Sequence, residues 1–173
     1  VGVDVDQRFI VNALNEIILS NELVHHILEE RSIYWIDDLP FVATIIMGQI
    51  KAQKSLNPAL VFKNEQKLKL IKDGKHVYTW KVSTARSGKT TPNGTWAAQW
   101  LSRHHKSSLY NDAPMPYSIF YNGNYAIHGT TDIKNLGTPA SAGCVRLDPK
   151  HAQILFELVE SVGKSNFFVH IAS

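Results

Sequence analysis

The chain reads Ala126-Ile127-His128-Gly129-Thr130 and, after a loop, continues Ser141-Ala142-Gly143-Cys144-Val145-Arg146-Leu147-Asp148. His128 ends an apolar run typical of a strand, which holds its side chain at the open end of a sheet. Cys144 lies in a glycine-containing loop directly before a helix, where its thiol is accessible and its backbone amide is a candidate oxyanion donor. A histidine in hydrogen-bond reach of a cysteine can serve as its general base. The two stretches therefore predict a Cys–His nucleophilic site.

Spacing alone leaves a second interpretation open for these residues. In that interpretation Cys144 is a small buried hydrophobic residue, and His128 is a satisfied histidine beneath a loop. Arg146 lies two residues beyond the thiol, so in an extended loop it shares that side of the chain. Its fixed charge would favour the thiolate or grip a substrate carboxylate with two hydrogen bonds.

The sequence around these stretches predicts a mainly β (α+β) body. From residue 59 onward apolar residues alternate with lysines, and Asp73-Gly74 and Asn122-Gly123 are hairpin turns. Asp148 caps a helix with Pro149 at its first position and Gly163 after its end. The predicted buried stripe of this helix comprises Ile154, Leu155, Leu158, Val159 and Val162. A final strand is expected over 166–171.

The first part of the chain has a different pattern. Residues 1–57 repeat apolar residues at a helical period, with a capping box at Asp4 and a second helix starting at Asp38. We therefore divide the chain into a helical extension over residues 1–57 and a β-rich domain over residues 58–173. The apolar residues of 45–50 are interpreted as packing against the body, or alternatively as a homodimer surface.

Composition excludes several classes of protein. The chain has 173 residues, of which 44% are hydrophobic and 19% are charged, so it can fill a core. Its apolar run at 39–50 is shorter than the ~20 residues of a membrane-spanning helix, so no integral membrane segment is expected. The lysines alternate along strands and no nucleic-acid-binding module is visible, so no nucleic-acid partner is expected. With one cysteine, and with His104 and His105 adjacent and pointing apart, no metal site is predicted.

The ordered motifs of the body resemble the YkuD-type L,D-transpeptidase catalytic domain. In that family a His-Gly at a strand end precedes, by a loop of about fifteen residues, a Ser-His-Gly-Cys or close variant followed by an apolar residue and Arg or Asn. Here these are His128-Gly129 and residues 141–146. The matching upstream motifs are Lys72-Asp73-Gly74, Val82-Ser83-Thr84-Ala85 and Thr91-Pro92-Asn93-Gly94-Thr95-Trp96. The resemblance covers roughly residues 59–171 and departs at Ala142, where many members have histidine.

The resemblance implies a YkuD-like β-sandwich that performs acyl transfer on peptidoglycan without a cofactor. Cys144 would attack the carbonyl at the L-centre of the third stem residue and expel the terminal D-Ala, leaving a thioester. His128 would act as base and then acid, with the main-chain carbonyl of Gly129 as third member of the triad. The amides of Gly143 and Cys144 are the candidate oxyanion hole, and Ser141 is assigned to loop structure or substrate contact.

Several functional alternatives follow from the same residues. An amine acceptor gives an L,D-transpeptidase and water gives an L,D-carboxypeptidase. An inactive peptidoglycan-binding module is a third reading, and an intracellular thiol acyltransferase is a fourth. The leading hypothesis is a transpeptidase of the periplasm or bacterial cell envelope, with peptidoglycan stem peptides as its partners. Of the aromatic residues in the body, one or two are expected at the site and the rest in the core.

Overall fold

A computed structural model describes residues 57–173 of the chain. The helical extension predicted for residues 1–57 lies outside the described residues except for Asn57, and so does the dimer surface considered for it. Asn57 and Pro58 already belong to the first strand, two residues before the predicted change of period.

The first sheet of the described domain has five strands. They are β1 (Asn57–Phe62), β2 (Lys67–Lys72), β3 (Lys75–Lys81), β4 (Gly94–Ala97) and β9 (Phe167–Ala172), in the order β3-β2-β1-β9-β4. The last strand lies between β1 and β4, parallel to β1 and antiparallel to β4. The sheet therefore joins the two ends of the domain through backbone hydrogen bonds.

The second sheet has four strands in the order β5-β6-β7-β8. They are β5 (Trp100–Lys106), β6 (Pro114–Asn122), β7 (Tyr125–Gly129) and β8 (Val145–Leu147). The chain crosses between the sheets at two adjacent residues. The Ala98 amide donates to the carbonyl of Phe167 in β9 at 3.1 Å, and the Gln99 amide donates to that of Phe120 in β6 at 2.7 Å.

Both predicted hairpins are present. Asp73 and Gly74 have φ of 51° and 73°, the left-handed pair that a two-residue turn between twisted strands requires. The β6–β7 hairpin turns at Gly123, and its register shifts at Tyr121, which is the extra residue of a β-bulge. In β3, Trp80 alone is buried. Because β3 is an edge strand, little packs against its other side chains.

The predicted helix is α1 (Pro149–Val162). The Asp148 carboxylate accepts the Lys150 amide at 2.9 Å, which caps the helix start as expected. The predicted stripe was wrong at Ile154, which is 39% exposed. The buried face is formed by Ala152, Leu155, Phe156, Leu158 and Val159. These residues recur at helical spacings of three and four, and Ile154 is one residue out of phase with them.

One hydrophobic core lies between the sheets and beneath the helix. It combines side chains of the first sheet (Leu68, Leu70, Val169), of the second sheet (Ile119, Ile127, Val145) and of α1 (Leu155, Val159). Burial of each such side chain stabilises the fold by about 1.5–3 kcal/mol before the entropy cost of folding. The mainly β fold with one late helix is confirmed for residues 57–173.

Candidate active site

The buried imidazole of His128 is fixed by its own strand. Its Nδ1 lies 2.7 Å from the carbonyl oxygen of Gly129. Because a carbonyl can only accept, Nδ1 carries the proton and Nε2 keeps its lone pair. Burial lowers the pKa of His128 to about 4, opposed by the Gly129 hydrogen bond and reinforced by Arg146 and His105. His128 is therefore neutral at pH 7, in the form that accepts a proton at Nε2.

Cys144 lies directly before β8 and is half-buried. It packs against a small cluster formed by Met115, Phe120 and Ala126. Its thiol donates a long hydrogen bond of 3.7 Å to the carbonyl of Asn124. Burial raises the pKa of the Cys144 thiol, an effect opposed by the Ala126 amide and by the positive charge of Arg146. At rest Cys144 is therefore a thiol and not a preformed thiolate.

The sheet register brings the thiol and the imidazole to the same region. His128 is paired with Arg146 between the parallel strands β7 and β8, so Cys144 is level with Ala126, two residues before the histidine. Diagonal neighbours on one face of a sheet are about 7–8 Å apart at Cα, within the span of an imidazole and a thiol. Both side chains line one cavity of about 620 Å³. In this structure the thiol and Nδ1 donate to different carbonyls, those of Asn124 and Gly129.

The loop that carries Cys144 is held by backbone pairing with residues 82–86. Ser83 and Arg146 exchange both amide–carbonyl bonds, at 3.0 and 2.9 Å. The Thr84 carbonyl accepts the amides of Ala140 and Ser141, at 3.0 and 2.9 Å. The Val-Ser-Thr-Ala motif therefore holds the loop that carries Cys144 in place through backbone hydrogen bonds.

Gln66 holds the Val-Ser-Thr-Ala motif in place through its side chain and its main chain. Its buried side chain accepts the Thr84 amide at 2.9 Å and donates to the Thr84 hydroxyl at 2.6 Å. Its own carbonyl accepts the Val82 amide at 2.8 Å. Gln66 could not be identified from the sequence, because a glutamine between two strands carries no local signal of its contact with Thr84, eighteen residues further along the chain.

Gly143 can only be glycine in this loop. Its φ is 142°, and a Cβ there would lie 2.8 Å from the Tyr125 ring and 3.0 Å from the Thr90 carbonyl oxygen. The buried Thr91 hydroxyl donates to the Gly143 carbonyl at 2.7 Å. The Thr-Pro-Asn-Gly motif thus anchors the loop that carries Cys144.

The candidate oxyanion hole is smaller than the sequence suggested. The Gly143 amide donates to the Ser141 hydroxyl at 3.0 Å, so it is engaged within the loop. Ser141 is fully buried, and its carbonyl accepts both the amide and the guanidinium of Arg86, at 3.0 and 3.2 Å. These bonds support loop structure, the first of the two roles considered for Ser141. The amide of Cys144 remains the candidate oxyanion donor.

Arg146 is partly engaged by an acidic neighbour. Its Nη1 lies 3.8 Å from Asp132 Oδ2 and 3.5 Å from the Ala140 carbonyl. The ion pair reduces the charge that Arg146 can offer to a substrate carboxylate. Its position beside His128 in the register accounts for its effect on the pKa of both the imidazole and the thiol.

The remaining cavity walls come from elements that the sequence analysis did not assign to the site. The β5–β6 connection contributes Leu109 and Tyr110, both exposed, and β5 contributes His105. Among the described residues, the aromatic rings of Tyr110, Phe120 and Tyr125 line the cavity, one more than expected, whereas Tyr121 is buried in the core. Trp100 stacks on Phe120, with ring centroids 3.7 Å apart. Arg86 lines the cavity next to the nucleophile loop.

The described residues contain no group of three or more His, Cys, Asp or Glu side chains able to hold a metal ion. Within the same residues, His105 lies at the cavity and its neighbour His104 is outside it and exposed. No helix within residues 57–173 has the length and apolarity needed to cross a bilayer.

Comparison with protein families matches residues 58–169 to YkuD, the L,D-transpeptidase catalytic domain. The match covers more than half of the chain, and the chain therefore belongs to the YkuD family. Comparison with curated proteins finds no significant match. The fold and the ordered motifs quoted above are thus those of a known class of enzyme.

Solved structures similar to this chain are also L,D-transpeptidases. One from Stackebrandtia nassauensis is 26% identical (TM-score 0.59) over 68% of this chain and 55% of its own. One from Xylanimonas cellulosilytica is 25% identical (TM-score 0.57) over 69% and 61%. L,D-transpeptidase 3 from Mycobacterium tuberculosis, solved with a faropenem-derived adduct, is 15% identical (TM-score 0.59) over 68% and 60% and supports the fold alone. The chain thus spans less than two thirds of each of these relatives.

Proposed function

We propose that the chain is a cysteine-dependent L,D-transpeptidase that acts on the stem peptides of peptidoglycan. Its membership of the YkuD family supports the reaction class. The observation that carries the proposal is the single thiol of the chain lining one cavity with a neutral imidazole whose Nε2 is free to accept a proton. The donor would be a tetrapeptide stem, cleaved between its third residue and the terminal D-Ala.

The first half-reaction starts from a neutral pair. As the sulfur attacks the carbonyl carbon at the L-centre of the third residue, the thiol proton passes to Nε2 of His128. The carbon–sulfur bond forms and the negative charge on the carbonyl oxygen is stabilised by the Cys144 amide. The carbon–nitrogen bond then breaks, and the imidazolium returns its proton to the departing amine of D-Ala. The product is a thioester on Cys144.

The second half-reaction reverses these roles. An acceptor amine attacks the thioester carbonyl while His128 takes a proton from it, the carbon–sulfur bond breaks, and the proton returns to the sulfur. Water in place of the amine would give an L,D-carboxypeptidase. The Gly129 carbonyl supports both steps because it keeps Nδ1 protonated, and it stabilises the imidazolium that forms transiently.

The direct test is mass-resolved product analysis on purified disaccharide-tetrapeptide. The unchanged chain is expected to release D-Ala and to join stems. Cys144→Ala should abolish release, because the chain has no second cysteine, and His128→Ala should lower it by 10²–10⁴-fold. His104→Ala is the matched control, since that histidine is exposed and outside the cavity. Full activity of Cys144→Ala protein would refute the proposal.

The same experiment separates the acceptors. Tripeptide alone indicates hydrolysis, and joined stems indicate transfer. A further reagent is suggested by the relatives, since one L,D-transpeptidase is solved in complex with imipenem and another with a faropenem-derived adduct. We expect such a β-lactam to acylate Cys144, which an inactive binding module would not allow. A substrate in the cell wall would place the protein in the bacterial cell envelope.

A further inference from the structure

The cavity around Cys144 carries an excess of positive charge. Two arginines line it, Arg86 and Arg146, and Asp132 is the one carboxylate among the described residues that line it. Asp132 is already paired with Arg146 at 3.8 Å. Arg86 is therefore the fixed positive charge of the cavity wall that this carboxylate does not neutralise.

The exposed side chain of Arg86 is held in place by hydrogen bonds. Its backbone amide and its Nη1 both donate to the Ser141 carbonyl, at 3.0 and 3.2 Å, which fastens the guanidinium to the nucleophile loop. Within residues 57–173 the ion pairs involve other side chains, and no carboxylate lies within 4 Å of Arg86. The remaining guanidinium N–H groups are available to a ligand in the fork geometry that suits a carboxylate.

Arg86 and Cys144 line the same cavity, close enough along the loop for one short donor peptide to reach both. Ser141 is three residues before Cys144, a span of at most about 11 Å. An enzyme that removes one terminal residue must recognise the free carboxylate one residue beyond the bond it breaks. We infer that Arg86 binds the terminal α-carboxylate of the donor peptide and thereby restricts attack by Cys144 to the last peptide bond. This inference rests on the proposed function and adds a specificity residue to it.

The test measures recognition of the carboxylate without turnover. Full-length protein carrying Cys144→Ala is titrated calorimetrically with the tetrapeptide stem as the free acid and as its C-terminal amide. We expect the free acid to bind about 10- to 100-fold more tightly, because the amide lacks the charge that the guanidinium recognises. Adding Arg86→Gln should bring the two affinities to within about twofold of each other, and Arg86→Lys should restore part of the difference.

Lys89→Gln is the matched control. Lys89 is an exposed cation whose amide donates to the Arg86 carbonyl at 3.0 Å, and it does not line the cavity. It should leave the preference for the free acid unchanged. Thermal unfolding of each variant checks that the loop is intact. An acid-to-amide ratio that survives in Arg86→Gln, or no binding of the acid by Cys144→Ala protein, would overturn the inference.

The outcomes also separate this inference from the proposed function. If the unchanged chain releases no D-Ala from the free acid, the proposed function is wrong. If it releases D-Ala, and the preference for the free acid is independent of Arg86, only the carboxylate subsite is wrong. Arg86 could instead recognise the side-chain carboxylate of the third residue, which would contradict its assignment to the terminal α-carboxylate. In that case amidation of the side-chain carboxylate, and not of the terminal one, would weaken binding in an Arg86-dependent way.

Discussion

The depressed pKa of His128 predicts a loss of stability in mild acid. The unfolded chain binds a proton at this histidine near pH 6.5, whereas the folded chain does so only at about pH 4. Between these values the unfolded state holds more protons, so the free energy of unfolding falls as the pH is lowered and levels off below about 4. The difference corresponds to about 3 kcal/mol, since each pKa unit contributes about 1.36 kcal/mol. Above pH 6.5 His128 makes no pH-dependent contribution.

Two measurements check this prediction. A histidine-selective NMR titration should show one ring, assigned by its absence in His128→Gln protein, with a pKa of about 4 instead of the ordinary value of 6.5. Urea unfolding followed by tryptophan fluorescence should lose stability between pH 6.5 and pH 4.5 by about 2–3 kcal/mol more in the unchanged chain than in His128→Gln. His104→Gln controls for the loss of an exposed histidine. A His128 ring that titrates near pH 6.5 would refute the reasoning.

Three further predictions concern the loop that carries the nucleophile. Gly143→Ala should lower the free energy of unfolding by about 1–3 kcal/mol in urea, whereas Gly88→Ala, which shares the positive φ but has open space around its Cβ, should cost less because it adds backbone strain without a steric clash. Gln66→Ala should cost about 1–3 kcal/mol by the same assay because it removes buried hydrogen bonds; an equal cost for Gln153→Ala, which removes a solvent-exposed hydrogen bond to Glu157, would contradict this. Thr91→Val should slow acylation by a β-lactam, measured by mass spectrometry, and Thr91→Ser should restore the rate; equal rates for both variants would show that the Gly143 bond is not needed.

Features encoded by neighbouring residues were predictable from the sequence. The turn at Asp73-Gly74 follows from the left-handed backbone that only a few residues adopt, and the start of α1 follows from an aspartate directly before a proline. The pairing of Cys144 with His128 was expected from the resemblance to the YkuD family, since spacing alone left a structural role open, and both side chains line one cavity. The turn and the helix start each depend on adjacent residues, so they can be predicted without knowledge of the rest of the fold.

Contacts between distant segments were not predictable in the same way. Arg86 and Ser141 are 55 residues apart, and Gln66 and Thr84 are 18 apart. Nothing in the local sequence of either pair indicates the other member. The assignment of the Gly143 amide to the oxyanion hole shows the same limit, because the competing Ser141 hydroxyl is selected by the loop conformation and not by the residue types.

The resting geometry of the site also determines what substrate binding must accomplish. The thiol donates to Asn124, and the imidazole is neutral with its Nε2 lone pair available, so proton transfer requires the sulfur to leave the carbonyl and face the ring. This change costs little, because a thiol is a weak donor and a 3.7 Å contact is long for a hydrogen bond. A donor peptide that displaces water from the cavity would strengthen the attraction between thiolate and imidazolium as both form. Under the proposed function, activation of Cys144 would therefore be coupled to the binding of a donor peptide, because the raised pKa of the thiol keeps Cys144 protonated at rest.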